Sequence, residues 1–200
     1  MRKYSKIIAP LLALMLAFAL AGCGEDAAAT SGLGDKGWEK NVLQITTVTN
    51  WAGLDFTNAV LEFAEDDTVY IKGRAIDDVQ VYFSAEHSGW SPAGGGWNQN
   101  VAGGADFEKT ITLTAADASN IAGTTPPNLR LKTNKANASM VVIELTIKDA
   151  DGKVKLDLSA DLQKLKKGPV DFEKDKIAGV ANCGLDQTPP AVAYEILGPK

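Results

Sequence analysis

Apolar and polar residues alternate with a period of two along several short stretches of the chain. The clearest are TVYIKGRA (68–75), VQVYFSAE (79–86), FEKTITLT (107–114), NLRLKT (128–133) and SMVVIELTIKD (139–149). Successive side chains of a β-strand point to opposite faces of a sheet. The alternation therefore predicts strands that pack one face on a core and leave the other face solvated.

The pattern also predicts which residues face the core. The predicted inward positions are Val69, Ile71, Ala75, Val79, Val81, Phe83, Ala85, Phe107, Ile111, Leu113, Leu129, Leu131, Val141, Ile143, Leu145 and Ile147. Tyr82, Glu86 and Arg130 fall on the solvated faces. Weaker strand candidates lie at 42–48, 59–63, 154–158 and 192–197.

The segments between these stretches carry turn and helix signals. Asp151-Gly152 is a two-residue hairpin signal. Thr114 followed by Asp117 predicts a capped short helix that ends near Gly123. A second short helix is predicted from Ser159 to Lys167. Many short strands with one apolar face indicate an all-β fold, a sandwich of two antiparallel sheets with one or two short helices.

The first residues have the pattern of a secretion signal. Three basic residues precede an apolar run from Ile7 to Leu20, which is too short to span a bilayer. Leu20 to Cys23, LAGC, resembles the lipobox of bacterial lipoproteins; the alternative is an ordinary secretory signal with an incidental cysteine. The resemblance implies cleavage after residue 22, lipid attachment to Cys23, and an extracytoplasmic, membrane-anchored protein. Residues 23–37, rich in small and polar side chains, are predicted to be a flexible spacer.

Charge and cysteine content limit the partners and the cross-links that are expected for the chain after the signal. Removal of the signal changes the formal charge from -5 to -8, which argues against nucleic acid as a partner. If Cys23 is lipidated, only Cys183 remains, so no intrachain disulfide is expected. We predict one domain at 38–167 and a C-terminal extension, 168–200, that completes the sandwich or contacts a partner.

The order of the elements resembles the jelly-roll carbohydrate-binding modules of bacterial xylanases and cellulases. The resemblance covers roughly Val42 to Leu165. It is carried by the strands TVYIKGRA and VQVYFSA, the Gly/Trp loop, FEKTITLT, the short TAAD helix and the late strand VVIELTIKD. It implies a jelly-roll sandwich that binds glycans across one strand face through aromatic, Arg, Glu and amide side chains. Such modules usually have an Asp in the late strand near a structural calcium. Here Glu144 is the nearest equivalent, so no cofactor is predicted.

Residues suited to catalysis are few. His87 is the only histidine, which argues against a His-rich zinc site, and no G-x-S-x-G motif is present. A glycosidase would need two carboxylates about 5 to 9.5 Å apart. Glu62, Glu86, Glu108 and Glu144 lie on or beside predicted strands, but no pattern pairs any two of them. We therefore predict a protein that is not an enzyme, with a jelly-roll glycosidase as the alternative.

Aromatic and amide side chains give the most specific functional prediction. An indole or phenol face attracts the axial C–H groups of a sugar ring, and amide, Arg and carboxylate groups orient its hydroxyls. The predicted ligand contacts are Tyr82, Glu86, Trp90, Trp97, Asn98, Gln99 and Arg130. We expect at least one of Trp90 and Trp97 to pack inward, and Trp51 to be a core or rim residue.

The sequence thus predicts a membrane-anchored lipoprotein that binds polysaccharide or oligosaccharide without catalysis. The alternative is a structural lipoprotein whose sandwich contacts an envelope or host protein. No pattern in the sequence predicts an oligomeric state.

Overall fold

The computed structural model describes residues 38–85, 92–123, 128–183, 188 and 190–199, which form two antiparallel sheets. One sheet contains β1 (Val42–Thr47), β3 (Thr68–Ala75), β6 (Asp106–Thr112), β8 (Ala138–Lys148), β9 (Val154–Asp157), β10 (Gly168–Pro169) and β12 (Val192–Leu197). The other contains β2 (Gly53–Thr57), β4 (Val79–Ala85), β5 (Asn98–Val101), β7 (Asn128–Thr133) and β11 (Val180–Ala181). The predicted two-sheet antiparallel sandwich is confirmed.

The first eight strands pair in the nested order of a jelly roll. β4 pairs with β5, β3 with β6, β2 with β7 and β1 with β8. This gives the order β1-β8-β3-β6 in the seven-stranded sheet and β2-β7-β4-β5 in the five-stranded sheet. Strands nested in this way pass alternately between the two sheets and enclose one core, as in double-sheet jelly rolls.

Residues beyond the predicted module add strands to both sheets. β12 pairs with β1 over six residues, and β10 pairs with β12. β11 pairs with β2 in the other sheet. The C-terminal strands β11 and β12 therefore lie beside the first two strands of the jelly roll, β2 and β1.

The core lies between the sheets and contains nearly all of the predicted inward residues. All the predicted positions of β3, β4, β6 and β7, together with Leu113, are buried in one hydrophobic cluster. Alternation thus predicts the buried side chains correctly in strands that contain no β-bulge. It is correct for Leu145 and Ile147 of β8. Val141 is fully buried, but neither it nor Ile143 belongs to that cluster, so the face predicted for these two residues is wrong.

A β-bulge explains the error in β8. Lys72 pairs with Glu144, but the next residue, Gly73, pairs with Val142, so Ile143 is the extra residue. An extra residue reverses the alternation, and Met140 and Val142 therefore join the core instead. Glycine is required at position 73, because a Cβ there would lie 2.4 Å from the Phe107 ring and 2.5 Å from the Val141 carbonyl oxygen.

The described residues contain more short helical segments than the one or two predicted: α1 (Asn58–Leu61), α2 (Ala93–Gly96), α3 (Ala115–Ala122), α4 (Leu158–Leu162) and α5 (Phe172–Asp175). Of these, α2 is a turn through left-handed glycines rather than a regular helix. The predicted strand at 59–63 is wrong, because the Thr57 hydroxyl accepts a hydrogen bond from Ala59 N and starts α1. The helix predicted from Ser159 to Lys167 is shorter and is capped by Asp157. No helix within the described ranges is long and apolar enough to cross a membrane.

The predicted α3 is confirmed, and its cap also holds the glycine-rich connection between β4 and β5. Thr114 and Asp117 form a capping box. The buried Asp117 carboxylate accepts hydrogen bonds from Thr114 N (2.8 Å), the Thr114 hydroxyl (2.8 Å) and Gly94 N (3.0 Å). One side chain thus satisfies donors from two chain segments.

We expect Asp117→Ala to destabilise the fold by about 2 kcal/mol, because it removes a cap and leaves buried donors unsatisfied. In a domain of this size the loss lowers Tm by about 4 to 8 °C, measured by thermal unfolding. Asp151→Ala, at an exposed hairpin position, is the control. A loss for Asp117→Ala no larger than for Asp151→Ala would show that the carboxylate does not hold the two segments together.

Candidate functional site

Polar side chains form rows across the outer face of the five-stranded sheet. In the first row Asp55 of β2, Arg130 of β7 and Ser84 of β4 lie side by side in register. In the second row the register aligns Gly53, Lys132, Tyr82 and Asn98. These residues share one face because the inward neighbours Leu131, Val81 and Phe83 belong to the core.

A pocket of about 440 Å³ opens on this face and is lined by Trp51, Tyr82, Arg130 and Lys132. Gly53 contributes no side chain to the second row, and none would fit there, since a Cβ at this position would lie 1.6 Å from the Leu131 carbonyl oxygen. The second row therefore has a gap next to Lys132, at Gly53 of β2.

Trp51 stands at the rim of the pocket in an unusual conformation. Its φ is 62°, and 49% of its surface is exposed. Its backbone N–H donates to the Thr133 carbonyl (2.9 Å), and its ring lies 5.9 Å from the Tyr82 ring, centroid to centroid, at an interplanar angle of 60°. A bulky residue in the left-handed region costs about 1 to 2 kcal/mol, and such strain clusters at binding sites.

An ion pair fixes the position of Arg130. Its Nη2 donates to Asp55 Oδ2 at 2.7 Å, and its Nε donates to Asp55 Oδ1. Only 18% of the Arg130 side chain and 7% of the Asp55 side chain are exposed. Asn128 Nδ2 donates to the same carboxylate at 3.4 Å. The bidentate geometry holds the guanidinium plane in one orientation at the wall of the pocket.

The floor of the site is joined to the opposite sheet through Tyr194 of β12. The Tyr194 hydroxyl donates to the Gly53 carbonyl (2.6 Å) and accepts from Cys183 N (3.1 Å). Burial raises the pKa of this phenol far above its usual value, so the hydroxyl stays protonated and keeps donating. Gly53 is therefore held rigidly from below.

A polar cleft of about 590 Å³ lies next to the pocket along β4. Its lining includes Gln80, Asn100, Asn134 and Lys135. Gln80 is the outward neighbour of Tyr82 on β4, and its Nε2 donates to Asn98 Oδ1 at 3.2 Å. Gln80 N donates to Asn134 Oδ1 at 3.0 Å. The cleft thus continues the outer face with amide groups.

The predicted ligand residues divide into three groups. Tyr82, Asn98 and Arg130 come together on the outer face, as the rows show, but the prediction that Tyr82 is solvated is wrong, because only 6% of it is exposed. Trp97 and Gln99 do not join them: the Trp97 ring lies 6.3 Å from the Phe83 ring and packs against the core, and Gln99 pairs with the inward residue Val81. Glu86, Trp90 and Cys23 lie outside the described residues, as does His87.

Two pocket residues, Trp51 and Lys132, were absent from the predicted ligand set, as was Asp55, which pairs with Arg130. Lys132 lies two positions after Arg130 in the predicted strand NLRLKT, and therefore on the same face, but it was not predicted to contact the ligand. Asp55 lies in β2, which the weak alternation of GLDFT did not predict. Trp51 was predicted only as a core or rim residue, because nothing local in the sequence fixes its backbone conformation.

Comparison with known proteins identifies no similar protein. No family model, curated protein or solved structure matches the chain. No group of three metal-ligating His, Cys, Asp or Glu residues occurs in the part of the chain that the structure describes. The function must therefore be inferred from the pocket itself.

Proposed function

We propose that the protein binds carbohydrate without transforming it, in the pocket on the outer face of the five-stranded sheet. The observation that carries the proposal is the position of Trp51. A half-exposed indole in a strained backbone conformation stands over Tyr82, beside two donor side chains. The exposure of the Trp51 indole and the strain of its backbone do not stabilise the free protein. Both are expected of a residue that contacts a ligand.

The chemistry of the pocket suits a sugar ring. Contact with the indole face removes apolar surface from water at about 25 cal/mol per Å² and places C–H groups on an electron-rich ring. Arg130 and Lys132 donate hydrogen bonds to ring substituents. Small-molecule sites combine apolar or aromatic lining with a few placed polar groups in this way.

The adjacent cleft supports binding of a chain of sugars rather than a single residue. Gln80, Asn98 and Asn100 offer both donors and acceptors, as sugar hydroxyls require. Gln80 of β4 and the two asparagines of β5 lie on the same face as the pocket, so a ligand that stacks on Trp51 has a polar path along which to continue. Affinities in the micromolar to millimolar range, about -8 to -4 kcal/mol, are expected for such an open site.

Binding is favoured over hydrolysis by the surroundings of Asp55. Its carboxylate is held by Arg130 and Asn128 and is committed to structure. Within the described ranges, no carboxylate residue lines the pocket. A glycosidase requires two carboxyl groups flanking the bond that is cleaved.

A lipid at Cys23 would place this site outside the cytoplasm, next to a membrane. The spacer of residues 23–37 would let the pocket reach extended polysaccharide. Many tethered copies on one surface would then bind a polymer more tightly than a single pocket does.

The proposal is tested by a glycan array probed with the lipid-free chain from Gly24. We expect the parent to bind one class of polysaccharide, and Tyr82→Leu to reduce that binding several-fold, because it removes the ring beneath Trp51. Tyr70→Leu is the matched control: Tyr70 lies on the outer face of the other sheet, where its hydroxyl donates to Glu108 at 2.9 Å.

Two results would contradict the proposal. A parent protein that binds no glycan would leave the alternative, a sandwich that contacts another protein. A loss confined to Tyr70→Leu would move the site to the seven-stranded sheet.

A further inference from the structure

We infer that Tyr194 is a positioning residue of the site, which acts through Trp51 and, being buried, does not itself touch the ligand. The inference rests on the proposed function and adds the part of the chain that aims the exposed indole. Trp51 lies in the connection 48–52, which passes from β1 of one sheet to β2 of the other. The C-terminal strand β12, which lies beyond the predicted module, holds both ends of this connection.

The first end of the connection is bound to the residue that precedes β12. Val48 N donates a hydrogen bond to the Ala191 carbonyl oxygen at 2.8 Å, and Thr49 N donates to the same oxygen at 3.4 Å. Next to this contact, Thr47 of β1 pairs in register with Val192 of β12. The chain therefore leaves β1 in a fixed position.

The second end is held by the Tyr194 hydroxyl, which donates to the Gly53 carbonyl oxygen at 2.6 Å and accepts from Cys183 N at 3.1 Å. The pairing of β11 with β2 aligns Ala181 with Asp55. The same antiparallel register, continued by two residues, would align Cys183 with Gly53. The hydroxyl thus lies where a direct ladder hydrogen bond between those two residues would otherwise form.

The ring of Tyr194 is fixed as firmly as its hydroxyl. Its side chain belongs to the core, and its ring packs edge-on against Phe172 at 5.1 Å between centroids. In the sheet, Tyr194 pairs with Ile45 of β1. A buried phenol combines a large packed ring with a hydroxyl that needs a partner. Tyr194 therefore links the seven-stranded sheet to the backbone of Gly53 across the core.

The conformation of Trp51 follows from these constraints. With both ends held, the connection crosses between the sheets with residue 51 in the left-handed region. Its middle is bound to β7, because Trp51 N donates to the Thr133 carbonyl (2.9 Å) and Thr133 N donates to the Ala52 carbonyl (3.1 Å). Strained conformations persist only where the surrounding structure over-determines them. β12 and β7 together do this and place the indole over Tyr82.

Tyr194→Phe tests the role of the hydroxyl, because it keeps the ring and its contact with Phe172. We expect the Kd for an oligosaccharide that binds on the glycan array to rise about fivefold, since the ligand must restore the order that one hydrogen bond provides in the parent. Titration calorimetry on the lipid-free chain from Gly24 measures this change.

Ser159→Ala is the matched control for Tyr194→Phe. It also removes a side-chain oxygen that bonds a backbone group, because Ser159 Oγ accepts from Leu145 N at 2.9 Å. That contact lies at β8 of the other sheet, away from the connection. We expect the Kd of this variant to equal that of the parent.

A double-mutant cycle shows whether Tyr194 acts through Trp51. In a Trp51→Asn background, Tyr194→Phe should have no further effect on Kd, since the side chain that it positions is absent. A second measurement needs no ligand. NOE cross-peaks between the Trp51 and Tyr82 rings should be present in the parent and in Ser159→Ala, and weaken in Tyr194→Phe.

Hydrogen exchange of the parent tests the inference without any variant, and it remains decisive if Tyr194→Phe does not fold. The amide hydrogens of Val48 and Trp51 are expected to exchange as slowly as that of Ile45 in β1, because the connection is held by hydrogen bonds from two strands. Exchange as fast as at the exposed turn residue Asp151 would overturn the inference.

The outcomes separate the inference from the proposed function. An unchanged Kd in Tyr194→Phe, a loss that Ser159→Ala shares, or a loss that adds fully to that of Trp51→Asn overturns the positioning role and leaves glycan binding intact. A parent that binds no glycan overturns the proposed function. The ring cross-peaks and the exchange rates then still decide whether Tyr194 positions Trp51.

Discussion

Trp51→Asn is expected to weaken glycan binding at least tenfold while leaving the folded protein as stable as the parent. Asparagine tolerates the left-handed conformation that Trp51 adopts at φ 62°. The backbone bond from residue 51 to the Thr133 carbonyl is unchanged by the substitution. Strain relief of about 1 kcal/mol offsets the lost contact with Tyr82.

The expected loss of affinity follows from the area that the indole covers. An indole stacked on a sugar ring buries on the order of 80 Å² of apolar surface, which contributes about 2 kcal/mol, or about thirtyfold in Kd. Calorimetric titration measures the affinity, and urea unfolding measures the stability. The combination of lost binding and retained stability identifies a ligand contact, because a structural tryptophan would lose both.

Val154→Asn is the matched control for Trp51→Asn. Val154 is also 49% exposed, but it lies in β9 of the other sheet, away from the pocket. We expect this variant to bind like the parent. Unchanged affinity in Trp51→Asn, or an equal loss in Val154→Asn, would show that the exposed indole does not contact the glycan.

Asp55→Ala is expected to destabilise the protein by about 3 kcal/mol. The substitution leaves the mostly buried guanidinium of Arg130 without its bidentate partner, and removal of one member of a buried pair is far more costly than loss of a surface pair. In a domain of this size Tm would fall by about 6 to 12 °C. Urea unfolding gives the free energy directly.

The chain provides a matched exposed pair as a control. Arg74 and Asp106 make the same type of contact, but 58% of the Asp106 side chain is exposed. Asp106→Ala should therefore cost less than about 1 kcal/mol. The double variant Asp55→Ala, Arg130→Met should recover part of the loss, since no unpaired charge remains. Equal losses for the two aspartates would contradict the role given to burial.

The fold could be predicted largely from local alternation, and the errors have identifiable causes. In a strand with uninterrupted alternation, such as β3, the sequence pattern identifies the buried face directly. In β8 it does not, because the bulge lies opposite Gly73 of β3, which is distant in sequence, and no local pattern in β8 reveals it. Likewise, Thr57 ends β2 and caps α1, so the apolar residues that follow read as a strand in the sequence alone.

The site was less predictable than the fold, because its residues come from different strands and are brought together by the register in which those strands pair. Tyr82 and Arg130 could be placed on outward strand faces, but Asn98 was predicted only as a loop residue, and the alignment of all three with Lys132 and Gly53 depends on which strands pair. The composition of the Gly/Trp loop predicted ligand contacts there, yet Trp97 packs on Phe83, and the exposed indole among the described residues is Trp51. A positive φ at tryptophan leaves no trace in local sequence pattern.

The edge of the seven-stranded sheet bears on the alternative of protein binding. β6 is seven residues long and ends that sheet, a position open to strand addition. It carries exposed Asp106, Glu108 and Lys109, and charged side chains protect an edge from pairing. The pocket therefore gives stronger support for a ligand than this edge gives for a protein partner.

Two-dimensional ¹H–¹⁵N NMR of the lipid-free chain, titrated with an oligosaccharide that binds in the array, locates the contact. The Trp51 indole N–H signal is assigned by its loss in Trp51→Asn. We predict that this signal and the amides of residues 82, 130 and 132 shift most, while the Trp97 indole and the amides of β3 stay in place. Shifts centred on Trp97 or on β3, with the Trp51 indole unmoved, would contradict carbohydrate binding in this pocket.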